Sequence, residues 1–157
     1  STDYLTDLYT RSRFDEFLTS QVEKDEEFSV LMLDLDDYKQ FNDEHGHVVG
    51  DRVLIMYANL MKKVFGEKAL AARYGGDEFV IIFSDIKENE LYTVMKRIMK
   101  DVQNIEFEVG QLSFSCGIAS WRGESSERLF ERADKYMYDV KRSGKKEIKI
   151  EHLEGNL

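Results

Sequence analysis

Two acidic clusters in this 157-residue chain stand where apolar runs meet polar sequence. The first, Asp34-Leu35-Asp36-Asp37, closes the run Phe28 to Leu33. The second, Asp77-Glu78, follows Gly75-Gly76 and opens the β-prone run Phe79 to Phe83. Carboxylates crowded at the end of a buried strand repel one another and become tolerable when they hold a cation. Oxygen donors without Cys or His suit Mg²⁺ bound together with substrate phosphates. Strand-end and hairpin carboxylates from separate segments can build a two-metal phosphoryl-transfer site. Asp34 and Asp77 are therefore the expected metal ligands. The competing readings are that Asp34 caps the turn after its strand and that Asp77-Glu78 is the solvated tip of a surface hairpin. On a strand Asp77 and Glu78 point to opposite faces, so they are not expected to share one task. Asp36 and Asp37 read as turn-formers.

Other side chains could complete such a site. Lys39, Lys141 and Lys145 are candidates for phosphate contact. Gly144 predicts a helix C-cap before Lys145, where cations would also stabilise the macrodipole by roughly 0.3–1 kcal/mol each. Asn42 with Asp51 could read a guanine edge, because a carboxylate accepts from N1–H and N2–H₂. Taken locally, they are a turn residue and a helix N-terminal acid, and chemistry alone favours that. Gly75 and Gly76 are expected to supply positive φ to a tight two-glycine turn and to let a ligand lie against bare backbone. His45 and His47 lack the neighbouring Cys or His of a zinc site and read as structural or exposed.

The elements that must position these residues follow from periodicity. Phe14, Phe17, Leu18 and Val22 predict a first helix, and Phe28 to Leu35 a strand. A polar segment from Asp37 to His47 follows. Val53, Leu54, Tyr57, Leu60, Met61 and Val64 make one apolar stripe of a helix. Ala69 to Ala72 and Phe79 to Phe83 form a hairpin. Asp85 and Glu88 resemble a capping box opening a helix with Leu91, Val94, Met95, Ile98, Met99 and Val102 on one face. A short strand over Ile105 to Val109 and another over Leu112 to Ala119 come next. Ser125 or Ser126 caps a last helix striped by Leu129, Phe130, Ala133, Tyr136, Met137 and Val140. Ile148 to Ile150 is a final strand. This order predicts an α+β fold, a ferredoxin-like or palm-type mixed and mainly antiparallel sheet backed by helices. Residues 1–157 read as one domain, with 1–12 a lead-in and 153–157 a frayed tail.

A formal charge of −9 disfavours an extended nucleic-acid surface, though not a small phosphorylated substrate. No apolar run reaches the roughly 18 residues of a membrane span, and a signal peptide is not expected. The one cysteine, Cys116, cannot form an internal disulfide, which predicts a reducing compartment. The domain is expected in the cytoplasm without membrane contact of its own, although a longer parent protein could be membrane-anchored.

Taken together, five motifs resemble the GGDEF family, the diguanylate cyclases. Gly75-Gly76-Asp77-Glu78-Phe79 is the signature, intact. Asp34 to Asp43 is similar to D-x-D-x-F-K-x-x-N-D, with Tyr38 in place of Phe. Gly46 to Asp51 matches G-H-x-x-G-D. Asp3 to Arg11 is similar to D-x-L-T-x-L-x-N-R, with Thr10 in place of Asn, and Ala133 to Lys141 matches A-D-x-x-M-Y-x-x-K. The resemblance implies condensation of two GTP into cyclic di-GMP, with release of two pyrophosphates. It implies that Asp34, the Leu35 carbonyl and Asp77 or Glu78 hold Mg²⁺, two ions per site, with Mn²⁺ an alternative. It further implies that Asn42 and Asp51 read guanine beside Gly75 and Gly76, and that Lys39, Lys141 and Lys145 meet phosphates. Asp77 and Glu78 become the catalytic carboxylates. Each family domain holds one GTP, so a homodimer is needed. Ser1 opens the chain without a methionine, so an excised domain or a processed terminus is expected, and the resemblance implies an upstream sensory or receiver region outside this chain. Lys145 stands where the family commonly has Arg, which keeps the charge and loses bidentate geometry. The family's feedback-inhibitory R-x-x-D falls on Gly66 and Ala69, so no product inhibition is expected there. The alternatives are a catalytically silent GTP-binding regulatory module and a cyclase with altered purine choice.

Overall fold

The computed structural model describes residues 1–84, 86, 88–103, 112–144 and 147–150. The elements run β1 (Tyr9–Thr10), α1 (Arg11–Glu23), β2 (Ser29–Leu35), α2 (Tyr38–His45) and α3 (His47–Phe65). A short 3₁₀ turn (Gly66–Lys68) then leads into β3 (Ala69–Arg73), β4 (Glu78–Phe83), α4 (Glu88–Gln103), β5 (Phe114–Ser120), α5 (Ser126–Arg142) and β6 (Ile148–Ile150). They build one six-stranded sheet in the order β1-β3-β4-β2-β5-β6. The inner pairs are antiparallel, and the two outermost strands add in parallel. The segment from β2 to β5 has the β-α-β-β-α-β connectivity of the expected ferredoxin-like fold.

Strand alternation sorts the core into two layers. Leu31, Leu33 and Leu35 of β2 join Phe79, Ile81 and Phe83 of β4 under α2, α3 and α4. Val30 and Met32 join Val80 and Ile82 under α1 and α5. Helices therefore cover both faces of the sheet. Asp34 lies directly opposite Glu78 across the central strand pair. By alternation both belong to the face covered by α1 and α5. Burying the whole of β2 except its last acid is what carries a carboxylate to the edge of the core.

The helices start where side chains can satisfy free backbone N–H groups. Thr10 accepts from Arg13 N at 3.3 Å, and Ser125 from Arg128 N at 3.3 Å, which settles the choice between Ser125 and Ser126. Helix α5 lies unusually close to the sheet. A Cβ on Gly117 of β5 would stand 2.3 Å from the Ala133 carbonyl oxygen and 2.5 Å from Met137 N. Only glycine lets the helix backbone descend this far.

Three local expectations change. The polar segment from Asp37 to His47 is mostly helix: α2 has Phe41 as its one buried residue, too little for an apolar stripe to be read. Gly46, at φ +86°, ends α2 and starts α3. The hairpin loop is wider than two glycines, since β3 ends at Arg73 and β4 begins at Glu78. Neither Gly75 nor Gly76 takes a positive φ, so the glycines serve by leaving space. The Asp85–Glu88 capping box, the strand over 105–109, Lys145 and the tail 153–157 lie outside the described residues. Among those described, no helix is long and apolar enough to cross a membrane.

Candidate active site

The glycine loop is braced from three sides. Tyr74 N donates to the Glu78 carbonyl at 2.8 Å. Arg73 reaches under the loop and donates from Nε and Nη2 to the Gly76 carbonyl, at 3.2 and 2.9 Å. Its Nη1 pairs with Asp3 at 3.3 Å. Burial alone would raise the Asp3 pKa, but bonds from Thr6 and the Arg73 charge outweigh it and hold the carboxyl below its ordinary range. The N-terminal turn is thus fastened to the loop. The Tyr74 ring packs against Phe14 and Phe130, with the Arg11 guanidinium 4.4 Å above it. A Cβ on Gly75 would press on the Glu78 carboxylate at 3.1 Å, while Gly76 faces open space.

Next to this loop the two acidic clusters meet. Leu35 N donates to the Asp77 carbonyl at 3.2 Å, which carries the β2–β4 ladder past its last paired residue. That bond brings the Asp77 carboxylate within proton-sharing reach of Asp34. Burial first, and Asp77 second, push the Asp34 carboxyl up to about 7, against the opposing pull of Lys141. Burial, Asp77 and Asp134 likewise raise Glu78, opposed by Arg11 and Lys141. The alternation argument that separated Asp77 from Glu78 does not apply, because Asp77 sits in the loop before β4 starts.

Asp34 Oδ1 is buried and meets no hydrogen-bond donor among the described residues. A carboxylate oxygen so placed, with other carboxylates for neighbours, suits a hard cation. Among the described residues no cluster of three or more acidic, histidine or cysteine side chains forms a cage by itself. Backbone carbonyls such as that of Leu35, or phosphate oxygens, are needed to complete the shell, and Mg²⁺ is commonly bound in this way. The donor set therefore fits the metal the sequence implies.

Lys141, on α5, places its amine 3.4 Å from Asp34 Oδ2 and 3.5 Å from Asp36 Oδ1. Asp36 stands in the turn after β2, as expected, and does more there. Its buried carboxylate accepts from Ser113 and Ser115 at 2.7 and 2.6 Å, tying the loop after β2 to β5. Asp37, at φ +57°, is a turn residue as expected. Asn42 and Asp51 lie on α2 and α3, on either side of Gly50. The Tyr38 phenol between them and the loop feels Asp51, Arg73 and Asp77, with burial first in raising its pKa. Lys39 is exposed on the first turn of α2.

The carboxylates, the lysine and the bare loop thus share one sheet edge, with the Asn42 and Asp51 pair beyond Tyr38. The sequence from 1 to 147 matches the family described as diguanylate cyclase, GGDEF domain. The chain belongs to that family. Diguanylate cyclase A of Treponema denticola is 34% identical over 139 residues, covering 85% of this chain and 38% of that protein. This GGDEF chain thus spans well under half of that relative. The crystal structure of the coiled coil and GGDEF domain of DgcB from Caulobacter crescentus, in complex with c-di-GMP, superposes with a TM-score of 0.92 at 31% identity. The match covers 96% of this chain and 85% of that one. Diguanylate cyclase SiaD of Pseudomonas aeruginosa, solved with its activator SiaC, gives a TM-score of 0.88 at 31% identity, over 96% of this chain and 61% of that one.

Sequence reasoning missed two supports of this GGDEF site. One is the Asp3–Arg73–Gly76 brace, whose only local signal is the Asp3/Thr6 spacing of a capped turn. The other is the buried Asp36 with its two serines, which no local pattern announces because β5 lies far along the chain.

Proposed function

We propose that this domain is the catalytic half of a diguanylate cyclase, condensing two GTP into cyclic di-GMP across a homodimer. The observation that carries the reading is the meeting of Asp34 with Asp77, with a buried Asp34 oxygen that no donor among the described residues reaches, near Glu78 and an open glycine loop. Asp34, the Leu35 carbonyl and one or both of Asp77 and Glu78 hold Mg²⁺, two ions per site, with Mn²⁺ able to substitute. When bound, the metal neutralises phosphate charge and lowers the pKa of the attacking hydroxyl. Gly75 and Gly76 leave backbone for the nucleotide to lie on, and Asn42 and Asp51 read the guanine. Lys39, Lys141 and Lys145 take phosphate oxygens, Lys141 exchanging its carboxylate partners for them.

The chemistry balances as two reciprocal displacements. The 3′-oxygen of one GTP attacks the α-phosphorus of the other, and its proton passes to a carboxylate of the cluster, for which Glu78 is our candidate. The bond from that phosphorus to the bridging oxygen breaks, and pyrophosphate leaves. The reverse pair then reacts in the same way and closes the ring. Because each domain contributes one nucleotide, the rate should rise with the square of chain concentration until dimers saturate. Two pyrophosphates should appear per cyclic di-GMP, and Asp77→Ala should yield neither. A rate linear in dilute chain would contradict the two-domain mechanism. GTP binding without product would favour a silent regulatory module.

A cleft of about 640 Å³ lies away from this site, lined by Phe17, Lys62, Phe65, Gly66, Ala69 and Leu70 among others. Gly66 and Ala69 supply neither the guanidinium nor the carboxylate of the family's inhibitory motif. Added cyclic di-GMP should leave hydrogen exchange over residues 66–69 unchanged. Protection there would show that the product binds without the motif.

A further inference from the structure

Asn42 lies in the last turn of α2 and His47 opens α3, and the corner at Gly46 between the two helices makes their side chains meet. Asn42 Nδ2 lies 2.9 Å from His47 Nδ1. In this orientation of the amide Nδ2 donates and Nδ1 accepts, which places the imidazole proton on Nε2. An imidazole protonated on Nε2 offers only a lone pair at Nδ1, and that tautomer selects the amide nitrogen rather than the oxygen. The two ends of an asparagine amide are nearly equal in size, so packing alone cannot orient it. With Nδ2 held outward by His47, Oδ1 turns inward over Gly50, where it is buried and meets no donor among the described residues.

Oδ1 lies 2.1 Å, and the Tyr38 hydroxyl 2.8 Å, from the point that a Cβ on residue 50 would occupy. Gly50 leaves that space to two polar groups, and Asp51 follows it on the same helix. A buried acceptor without a donor is unfavourable until a donor arrives. A guanine edge carries three: N1–H and the two hydrogens of the 2-amino group. A carboxylate accepts from N1–H and one of the amino hydrogens. The second amino hydrogen remains for an inward-facing amide oxygen. A reversed amide would set N–H against N–H.

We propose that His47 is a positioning residue for base recognition: by holding Nδ2 it keeps Asn42 Oδ1 turned toward the purine's 2-amino group, and so sets preference for guanine over purines that lack it. The inference rests on the reading of Asn42 and Asp51 as the base-reading pair. The imidazole touches neither base nor phosphate; it acts through Asn42.

The test is equilibrium binding of 3′-deoxy-GTP and 3′-deoxy-ITP, with Mg²⁺, to the unmodified chain and to His47→Ala, His47→Lys and His47→Gln. Without a 3′-hydroxyl neither nucleotide can condense, so binding is read alone. The unmodified chain should prefer the guanine nucleotide by about fivefold, the worth of one net hydrogen bond. His47→Ala should bring the ratio close to one while leaving 3′-deoxy-ITP affinity within about twofold. His47→Lys offers Asn42 only donors and should lose the preference too, which keeps the test open should the alanine variant fail to fold. His47→Gln supplies a carbonyl acceptor and should retain most of it. Equal weakening toward both nucleotides, with the ratio intact, would reduce His47 to a structural role and overturn the proposal. If the unmodified chain already binds 3′-deoxy-GTP, 3′-deoxy-ITP and 3′-deoxy-ATP alike, the base-reading assignment fails and the proposal falls with it.

Discussion

Asp34→Asn is expected to stop cyclic di-GMP formation and, in the absence of divalent metal at pH 8, to make the protein more stable. The loss of activity should be at least about 100-fold, because metal-assisted neutralisation of a transferring phosphate contributes several kcal/mol to the transition state. The gain in stability follows from linkage. The Asp34 carboxyl titrates at about 7 in the fold against an ordinary value of 3.8. Its folded pKa lies above its unfolded one, so the unfolded chain gives up this proton first as pH rises. Stability is therefore lost between about pH 4 and pH 7 and stays lost above that range. Asparagine keeps the shape without the charge. A gain of about 1 kcal/mol would raise the melting temperature of a domain this size by roughly 2–4 °C. Added Mg²⁺ should stabilise the unmodified chain at pH 8, do less at pH 5, and do little for the variant. Melting curves at the two pH values, with and without metal, check all of this without reference to turnover. A variant that is less stable than its parent in metal-free buffer at pH 8 would mean that Lys141 already satisfies the carboxylates.

The same methyl group added at two glycines should fail in two different ways. At Gly117 it meets main chain, the Ala133 carbonyl at 2.3 Å and Met137 N at 2.5 Å, which no side-chain rotation relieves. Helix α5 must rise from the sheet. Overpacking of this kind costs about 1–3 kcal/mol, and Gly117→Ala should lower the melting temperature by roughly 2–12 °C. Raising α5 also draws Lys141 away from Asp34 and Asp36, so phosphate binding should weaken together with stability. At Gly50 the methyl meets the far ends of side chains, Asn42 Oδ1 at 2.1 Å and the Tyr38 hydroxyl at 2.8 Å. These can turn aside. Gly50→Ala sits within a helix, where alanine is the better helix former by about 1 kcal/mol. It should leave the melting temperature within a few degrees while displacing the amide that reads the base. GTP affinity should fall about tenfold or more, with ATP affinity little changed. Calorimetry and nucleotide titration on the two variants separate these outcomes. If Gly50→Ala unfolds the domain and Gly117→Ala does not, the roles assigned to the two glycines are reversed.

What could be read in the chain divides along physical lines. Elements with a strong apolar period were legible: β2 with its continuous buried run, the stripe of α3, and the stripe of α5 with its serine cap. The α2 helix was not, because one buried phenylalanine in a polar segment leaves no stripe. The meeting of Asp34 with the Asp77 segment was legible because these residues stand at strand ends, and strand ends meet wherever strands pair. Asp36 stands in a turn as expected, but its partners, Ser113 and Ser115, could not be foreseen, because only β2–β5 pairing brings them to it. The glycine loop was found for the wrong reason. Its residues were expected to supply positive φ, whereas Gly75 makes room for Glu78 and Gly76 leaves the loop open. Long-range side-chain bonds such as Arg73 to Asp3 leave no local pattern beyond the Asp3/Thr6 spacing of a capped turn. They become visible only when the fold has closed.

The most direct test of the account is the product formed from GTP and Mg²⁺ by this chain fused to a dimeric coiled coil, analysed by mass spectrometry beside the same fusion carrying Asp34→Asn. The first fusion should give cyclic di-GMP and pyrophosphate, and the second should leave GTP unchanged. Intact GTP from both, with the nucleotide bound by the unmodified fusion, would contradict it and leave a module that binds the nucleotide without joining two of them.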